Sequence, residues 1–229
     1  MGQQSSLTDK VITPTEGMYS HGRNGETISK ITVHCQVAQH EPEECVQGWV
    51  NGWDGTDNTA VSSNYIIGPT GRVGLYIPEE DRSWCSSSGE NDRKAITIEV
   101  ASEISEPYTF NDAAYNKCIL LCADICQRYN FKLFFTGDAT GSLTCHYMFS
   151  TTGKTCPGTW FRNRIQEFCD AVNAKVENGI FNPDDYDDSY VVTEEPSVYD
   201  YYLITSTSKQ NQPGECGNKI TGSVYLGRW

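Results

Sequence analysis

The strongest constraint on the fold lies in the middle of the chain, where a strand-forming segment is followed by a long helix-forming segment. Residues 94–102, KAITIEVAS, are rich in β-branched residues, which favour extended strands. In residues 110–130 the apolar side chains recur at helical spacing, and Asn111 is suitable as the N-cap. This pair of segments predicts a sheet with at least one helix packed on it.

Further segments with the same two patterns extend the alternation along the chain. Strands are predicted at 29–35, with His34 at its carboxyl end, and at 131–137. A hairpin is predicted at 64–77, and helices are predicted at 41–53 and 159–176. Because strands alternate with two long helices, the sequence predicts a single α/β domain over residues 30–176.

The two ends and two inner segments differ from this pattern. Residues 1–29 are rich in Gly, Ser, Thr and Pro and are predicted to form an irregular arm, and 79–93 a polar surface loop. Residues 177–229 are predicted to form a linker or peripheral tail, because between positions 183 and 208 there are seven acidic residues, five tyrosines and no Lys or Arg. The long loop at 138–158 is the best candidate for a functional segment.

The composition excludes several classes of function. The net charge is −13 without any Lys/Arg-rich stretch, so nucleic-acid binding is disfavoured. No apolar run approaches the ~20 residues that a membrane span needs, and the first residues contain no signal peptide, so synthesis in the cytoplasm is expected. The ten cysteines are therefore expected to be free or to bind metal. Three of them recur every fourth residue and are expected to face the core: Cys118, Cys122 and Cys126.

Three residues offer the donors of a metal site. His34 closes a predicted strand, and His146 and Cys156 lie ten residues apart in the loop 138–158. Zinc accepts imidazole and thiolate, and a catalytic zinc has three protein ligands and one open position. The spacing alone also fits a loop histidine and a buried thiol, while His21 and His40 lie in polar segments and are expected to be exposed.

Three further residues are candidates for catalysis. Lys154 lies two residues before Cys156, Tyr65 begins the predicted hairpin, and Glu99 interrupts an otherwise apolar strand. A charged residue in such a strand is costly unless it faces a site or a partner. The alternative is that Glu99 simply points outward together with Thr97, as strand alternation allows.

The ordered motifs resemble those of the type-2 N-acetylmuramoyl-L-alanine amidases, which include phage endolysin amidases and peptidoglycan recognition proteins. The resemblance covers residues 30–170 and rests on VHC, SNYIIGPTGRVGLYIPEEDRSWCSSS, RKAITIEVAS and LTCHYMFSTTGKTCPG in this order. It implies a mixed central β-sheet flanked by helices, with one Zn²⁺ in a surface groove.

The resemblance also implies roles for individual residues. The family's zinc ligands match His34, His146 and Cys156. Its catalytic positions match Tyr65, Glu99 and Lys154. Relatives without the third ligand tend to bind peptidoglycan without cleaving it, so the presence of Cys156 favours catalysis. Two cysteines adjoin the histidines, Cys35 and Cys145, but on a strand they point to the opposite face.

The implied reaction is zinc-dependent hydrolysis of the amide between N-acetylmuramic acid and L-alanine in bacterial peptidoglycan. Whether Glu99 or Tyr65 handles the proton stays open. Trp53, Trp84 and Tyr76 are candidates for lining the substrate groove, although such aromatics also serve as core or rim packing. The expected setting is a phage or prophage endolysin, made in the cytoplasm and acting on the cell wall after release or export.

The sequence also fits two other hypotheses about function. A non-catalytic peptidoglycan-binding module would keep the groove and the metal. A structural zinc protein would need four protein ligands, and the sequence shows no obvious fourth one.

Overall fold

The structure is a computed structural model, in which residues 4–52 and 60–178 are described. Trp53 and nearly all of the predicted tail lie outside these residues, so the boundary between domain and tail stays a prediction. Among the described residues, no helix has both the length and the apolar character needed to cross a membrane.

A six-stranded mixed sheet forms the centre, and its strand order is β1-β5-β4-β7-β3-β8. The strands are β1 (Lys10–Val11), β3 (Lys30–Cys35), β4 (Tyr65–Ile67), β5 (Val73–Leu75), β7 (Ala95–Val100) and β8 (Leu143–Cys145). Only β4 and β5 pair antiparallel, which confirms the predicted hairpin, and all other neighbours are parallel. A separate antiparallel pair joins β2 (Tyr19–Ser20) to β6 (Arg82–Ser83).

Two long helices cover one face of the sheet. They are α3 (Asp112–Tyr129) and α5 (Ile165–Asn178), and the shorter helices are α1 (Pro42–Asn51), α2 (Gly89–Lys94) and α4 (Thr159–Arg162). The Asn111 side chain accepts a hydrogen bond from the Ala114 amide, so the predicted N-cap is confirmed. The cysteine stripe of α3 is buried in the core under this face, also as predicted: Cys118, Cys122 and Cys126.

The opposite face of the sheet carries the site. Part of this face is covered by α1 through a smaller apolar cluster that includes Trp49, Ile66 and Tyr76. Near α2 the layer is polar and fully buried, and its hydroxyl groups are paired: Thr32 Oγ1 lies 2.8 Å from Thr144 Oγ1, and the Asn91 amide donates to Thr32. Thr97, which strand alternation predicted to point outward, is also fully buried, because Ser83 and Asn64 pair with its polar groups.

Several predicted elements differ from the structure. Residues 131–137 form no strand, because the Leu133 amide donates to the Asn173 side chain and the Phe134 amide to Ser142 Oγ, in place of a strand ladder. The predicted loop at 138–158 contains β8 and a 3₁₀ turn, the closing helix is two helices, and the arm contains β1 and β2. The predicted surface loop at 79–93 is largely structured and partly buried.

Candidate metal centre

The candidate site lies where three parallel strands end side by side. His34 is the penultimate residue of β3, Glu99 is its register partner on β7, and His146 follows β8 directly. Paired residues of parallel strands point to the same face, so the strands aim the imidazole and the carboxyl at one place. Ligand sites in α/β folds are formed at the carboxyl ends of strands in this way.

The structure brings the three predicted ligands together. One donor atom each of His34, His146 and Cys156 lies within 4.8 Å of the other two. The Cys156 sulfur is 3.6 Å from His34 Nδ1. A tetrahedral zinc with bonds of ~2.3 Å to sulfur and ~2.0 Å to nitrogen would place these two atoms about 3.6 Å apart. The donor set and this distance therefore fit a zinc ion.

The turn after Cys156 fixes the position of its sulfur. The Cys35 amide donates to Cys156 Sγ at 3.3 Å, and the Tyr147 amide to the Cys156 carbonyl at 3.1 Å. Gly158 has a φ of +93°, and a Cβ there would lie 2.5 Å from the Pro107 carbonyl oxygen. Only glycine therefore allows this turn to pack against the segment at 107–108.

The charge states of these groups suit a cation. Burial, and then His146, lower the pKa of His34 well below its ordinary value, and burial followed by Lys154 lowers the pKa of His146. Both imidazoles are therefore neutral and have a lone pair at neutral pH. Burial raises the pKa of the Cys156 thiol, so in this environment a bound cation is what would favour the thiolate.

Glu99 lies next to the predicted ligands with its side chain 15% exposed, and it has no strong partner. Its Oε1 lies 3.8 Å from His34 Nδ1 and accepts a hydrogen bond from the Cys85 thiol at 3.6 Å. Burial raises the pKa of Glu99 to about 8, against smaller lowering effects of Cys85 and Lys154. A carboxyl that titrates near neutral pH can both take and give a proton. Glu99 thus faces the site, and the interpretation that it points to solvent is wrong.

An open cavity of about 450 Å³ gives access to this cluster. The cavity is lined by Glu99, Lys154, His146 and Cys156. Lys154 is exposed at the rim, where its ammonium group can approach a bound molecule. The rest of the wall includes Gln36, Val37, Trp49, Val61, Cys85 and Tyr108.

Tyr65, the other predicted proton donor, does not reach the cavity. Its side chain is completely buried in the core that α3 and α5 cover, on the face opposite His34. Its hydroxyl donates to Glu79 Oε1 at 2.5 Å and accepts from the Ser5 amide at 2.9 Å. We therefore correct the sequence prediction: the position of Tyr65 favours a structural role.

Two of the three predicted groove aromatics, Tyr76 and Trp84, do not line the cavity. Tyr76 is fully buried, and its ring centroid lies 6.1 Å from that of Trp49. Trp84 is half-buried, its indole donates to Ser20 Oγ, and it is absent from the cavity wall. Trp53 lies outside the described residues. The aromatic residues that do line the cavity are Trp49 and Tyr108.

Sequence reasoning missed the segment 85–87, which borders the site. Cys85 contacts Glu99, and Ser87 Oγ lies 3.0 Å from His146 Nε2. The buried Asp92 carboxylate holds this segment by accepting from the amides of Cys85 and Ser86. In the sequence this segment belongs to the motif that ends in WCSSS, but a Ser-rich polar stretch is typical of surface loops and by itself predicts no role in a site.

The fold and site define an α/β domain with a candidate imidazole–thiolate metal centre and a largely shielded carboxyl beside it. Residues 24–159, more than half of the chain, match the Amidase_2 family, described as N-acetylmuramoyl-L-alanine amidase. The chain belongs to this family, as the resemblance predicted, and by membership it is a peptidoglycan amidase. No curated protein matches the chain.

Solved structures share the fold at low sequence identity. PlyL is 19% identical with a TM-score of 0.53, covering 71% of this chain and 95% of its own. A mutant endolysin from Bacillus subtilis is 16% identical with a TM-score of 0.51, covering 71% and 97%. The Staphylococcus aureus hydrolase AmiA, solved with its ligand, is 17% identical with a TM-score of 0.55, covering 76% and 86%. These similarities support the α/β fold with a mixed sheet.

Proposed function

We propose that this protein is a zinc-dependent hydrolase of the amide that joins N-acetylmuramic acid to L-alanine in peptidoglycan. The observation that carries the proposal is the convergence of donor atoms of His34, His146 and Cys156 beside the Glu99 carboxyl. Three of these residues, His146, Cys156 and Glu99, line one open cavity. Family membership supplies the substrate class. In this proposal the three residues hold one Zn²⁺, which when bound supplies Lewis acidity and lowers the pKa of a bound water to ~7.

Glu99 is the proposed proton carrier. Its carboxylate takes a proton from the water that attacks the lactyl carbonyl, and the same carboxyl then gives the proton to the leaving nitrogen of L-alanine as the C–N bond breaks. Its raised pKa and its position beside the donor cluster fit both steps. Tyr65 is left out of the mechanism because Glu79 binds its hydroxyl away from the cavity.

Lys154 is the proposed stabiliser of the negative charge on the carbonyl oxygen. It lines the same cavity as Glu99 and is near enough to lower the pKa values of both Glu99 and His146. A cation placed where charge develops lowers the barrier more than it strengthens substrate binding. The apolar parts of Val37, Trp49 and Tyr108, which line the same cavity, would then contact the substrate.

The biological setting that we propose is wall lysis by a phage or prophage endolysin, synthesised in the cytoplasm and acting on the bacterial wall after release or export. The fold shared with an endolysin of Bacillus subtilis supports this setting. This biological setting is independent of the proposed hydrolysis, because any amidase of this family could have the same site.

Mass spectrometry of digested cell walls tests the chemistry. We expect new L-alanine amino termini without new reducing sugars, loss of this product with a chelator, and its return with Zn²⁺. New reducing sugars would instead identify a glycosidase. Wall binding without any released product, with zinc present, would identify a non-catalytic peptidoglycan-binding module.

A further inference from the structure

A second set of donors lies next to the first and shares one residue with it. His34, Cys85 and Glu99 each offer a donor atom within 4.8 Å of the other two. The Cys85 sulfur is 3.6 Å from Glu99 Oε1, which is 3.8 Å from His34 Nδ1. A tetrahedral zinc-like ion would hold a sulfur and an oxygen ligand about 3.6 Å apart and a nitrogen and an oxygen about 3.4 Å apart. The observed distances are within a few tenths of an ångström of these values.

The second set is held in place by the fold. His34 and Glu99 are register partners on neighbouring strands, so the sheet fixes their separation. Cys85 is fixed from the other side, because its amide donates to Asp92 Oδ2 at 3.2 Å and the next amide donates to the same carboxylate. Both Cys85 and Glu99 line the 450 Å³ cavity, so an ion can reach them by the same entrance.

We propose that His34, Cys85 and Glu99 form a second, alternative position for a borderline or soft divalent cation such as Zn²⁺ or Cd²⁺. The two positions exclude each other, because both need the single lone pair of His34 Nδ1. An ion in the second position binds a Glu99 oxygen, so the carboxyl can no longer carry a proton. The second position is therefore a non-hydrolytic state of the site, a consequence that rests on the proposed function.

Cadmium binding tests the second position without measuring hydrolysis. The His146→Ala/Cys156→Ala double variant lacks two ligands of the first position and retains the second set intact. We expect it to bind about one Cd²⁺ per chain, with the ultraviolet absorption of a cadmium–thiolate bond. Adding Cys85→Ala should weaken this binding by at least about tenfold, since loss of an outer partner alone costs 10–100-fold. Cys169→Ala, a buried cysteine in α5, is the matched control and should leave binding unchanged.

Equal cadmium binding by the double variant with and without Cys85→Ala would overturn the proposal. If the double variant does not fold, ¹¹³Cd NMR of the otherwise unaltered chain replaces it. We then expect Cys85→Ala to remove one resonance or to shift an averaged one, and identical spectra would overturn the proposal. The cadmium experiments use no peptidoglycan, so they stay informative if wall digestion gives no product. Absence of cadmium binding at the second position would not contradict the proposed hydrolysis.

Discussion

Glu79 is fully buried and Glu99 is largely shielded from solvent, with 15% of its side chain exposed, but the surroundings of their carboxyl groups are opposite. Glu79 is fully buried and accepts four hydrogen bonds, two from Arg128 at 2.7 Å and one each from the hydroxyls of Tyr129 and Tyr65. Glu99 accepts one weak hydrogen bond from the Cys85 thiol, and no Lys or Arg in the described part of the chain forms an ion pair with it.

The difference separates a stabilising carboxylate from a reactive one. Arg128 and two phenols replace the hydration of Glu79, so its charge joins α3 to the connection after β5. Glu99 has lost hydration without full replacement, and its raised pKa is the result. Since it also borders an open cavity, the unpaired carboxyl is available for a substrate or a cation.

The largest expected effect is on stability, from Glu79→Gln. The substitution leaves Arg128 largely buried beside Asp124 alone, and breaking such a pair typically costs ~3–5 kcal/mol. Urea unfolding measures the loss, with Glu99→Gln as the matched control, which should be neutral or stabilising at pH 7. The comparison fails if Glu79→Gln unfolds like the unaltered protein while Glu99→Gln is strongly destabilised.

A pH series on the metal-free protein sharpens the comparison. The ordinary pKa of a Glu is 4.5 and that of Glu99 is about 8, so between these values the folded state binds more protons than the unfolded state. Stability should therefore fall as pH rises from about 4.5 to about 8, by a few kcal/mol. Glu99→Gln should lack this fall. Parallel stability curves would mean that Glu99 has an ordinary pKa.

Glu99→Gln should lower turnover by ~10²-fold or more, which corresponds to about 2.7 kcal/mol in the barrier. The amide keeps the size of the carboxyl but cannot accept a proton from water, so KM and zinc content should change little. Steady-state hydrolysis of a muramoyl peptide, with the metal content measured on the same sample, checks both. Turnover near that of the unaltered protein would remove Glu99 from the mechanism.

From the sequence, Glu99 is a candidate site residue, whereas Glu79 has no predicted role. Glu99 was noticeable because a charged residue interrupts an apolar strand, and motif order then placed it near His34, His146 and Cys156. Glu79 was assigned to a polar surface loop, because its partner Arg128 lies 49 residues away on α3 and only the tertiary fold brings them together. The same reason applies to Tyr65. The sequence predicts the strand that contains Tyr65, but neither the face of the sheet on which its side chain lies nor its hydrogen-bond partner Glu79.

The smallest effects compare Lys154 and Tyr65, two of the three residues that match catalytic positions of the family. Lys154 lines the cavity, so Lys154→Met should lower turnover by roughly tenfold, about 1.4 kcal/mol, without loss of stability. Tyr65→Phe removes one of the four hydrogen bonds to Glu79 and should cost ~1–2 kcal/mol of stability.

Turnover per folded molecule is the measurement that distinguishes the two residues. In Tyr65→Phe it should equal that of the unaltered protein, because the fully buried phenol lies on the face of the sheet opposite His34 and cannot approach a substrate in the cavity. A tenfold loss of turnover in a fully folded Tyr65→Phe would show that the Glu79 network also positions the site. The two carboxylates would then be coupled through β4, which lies between β5 and β7 and pairs with both.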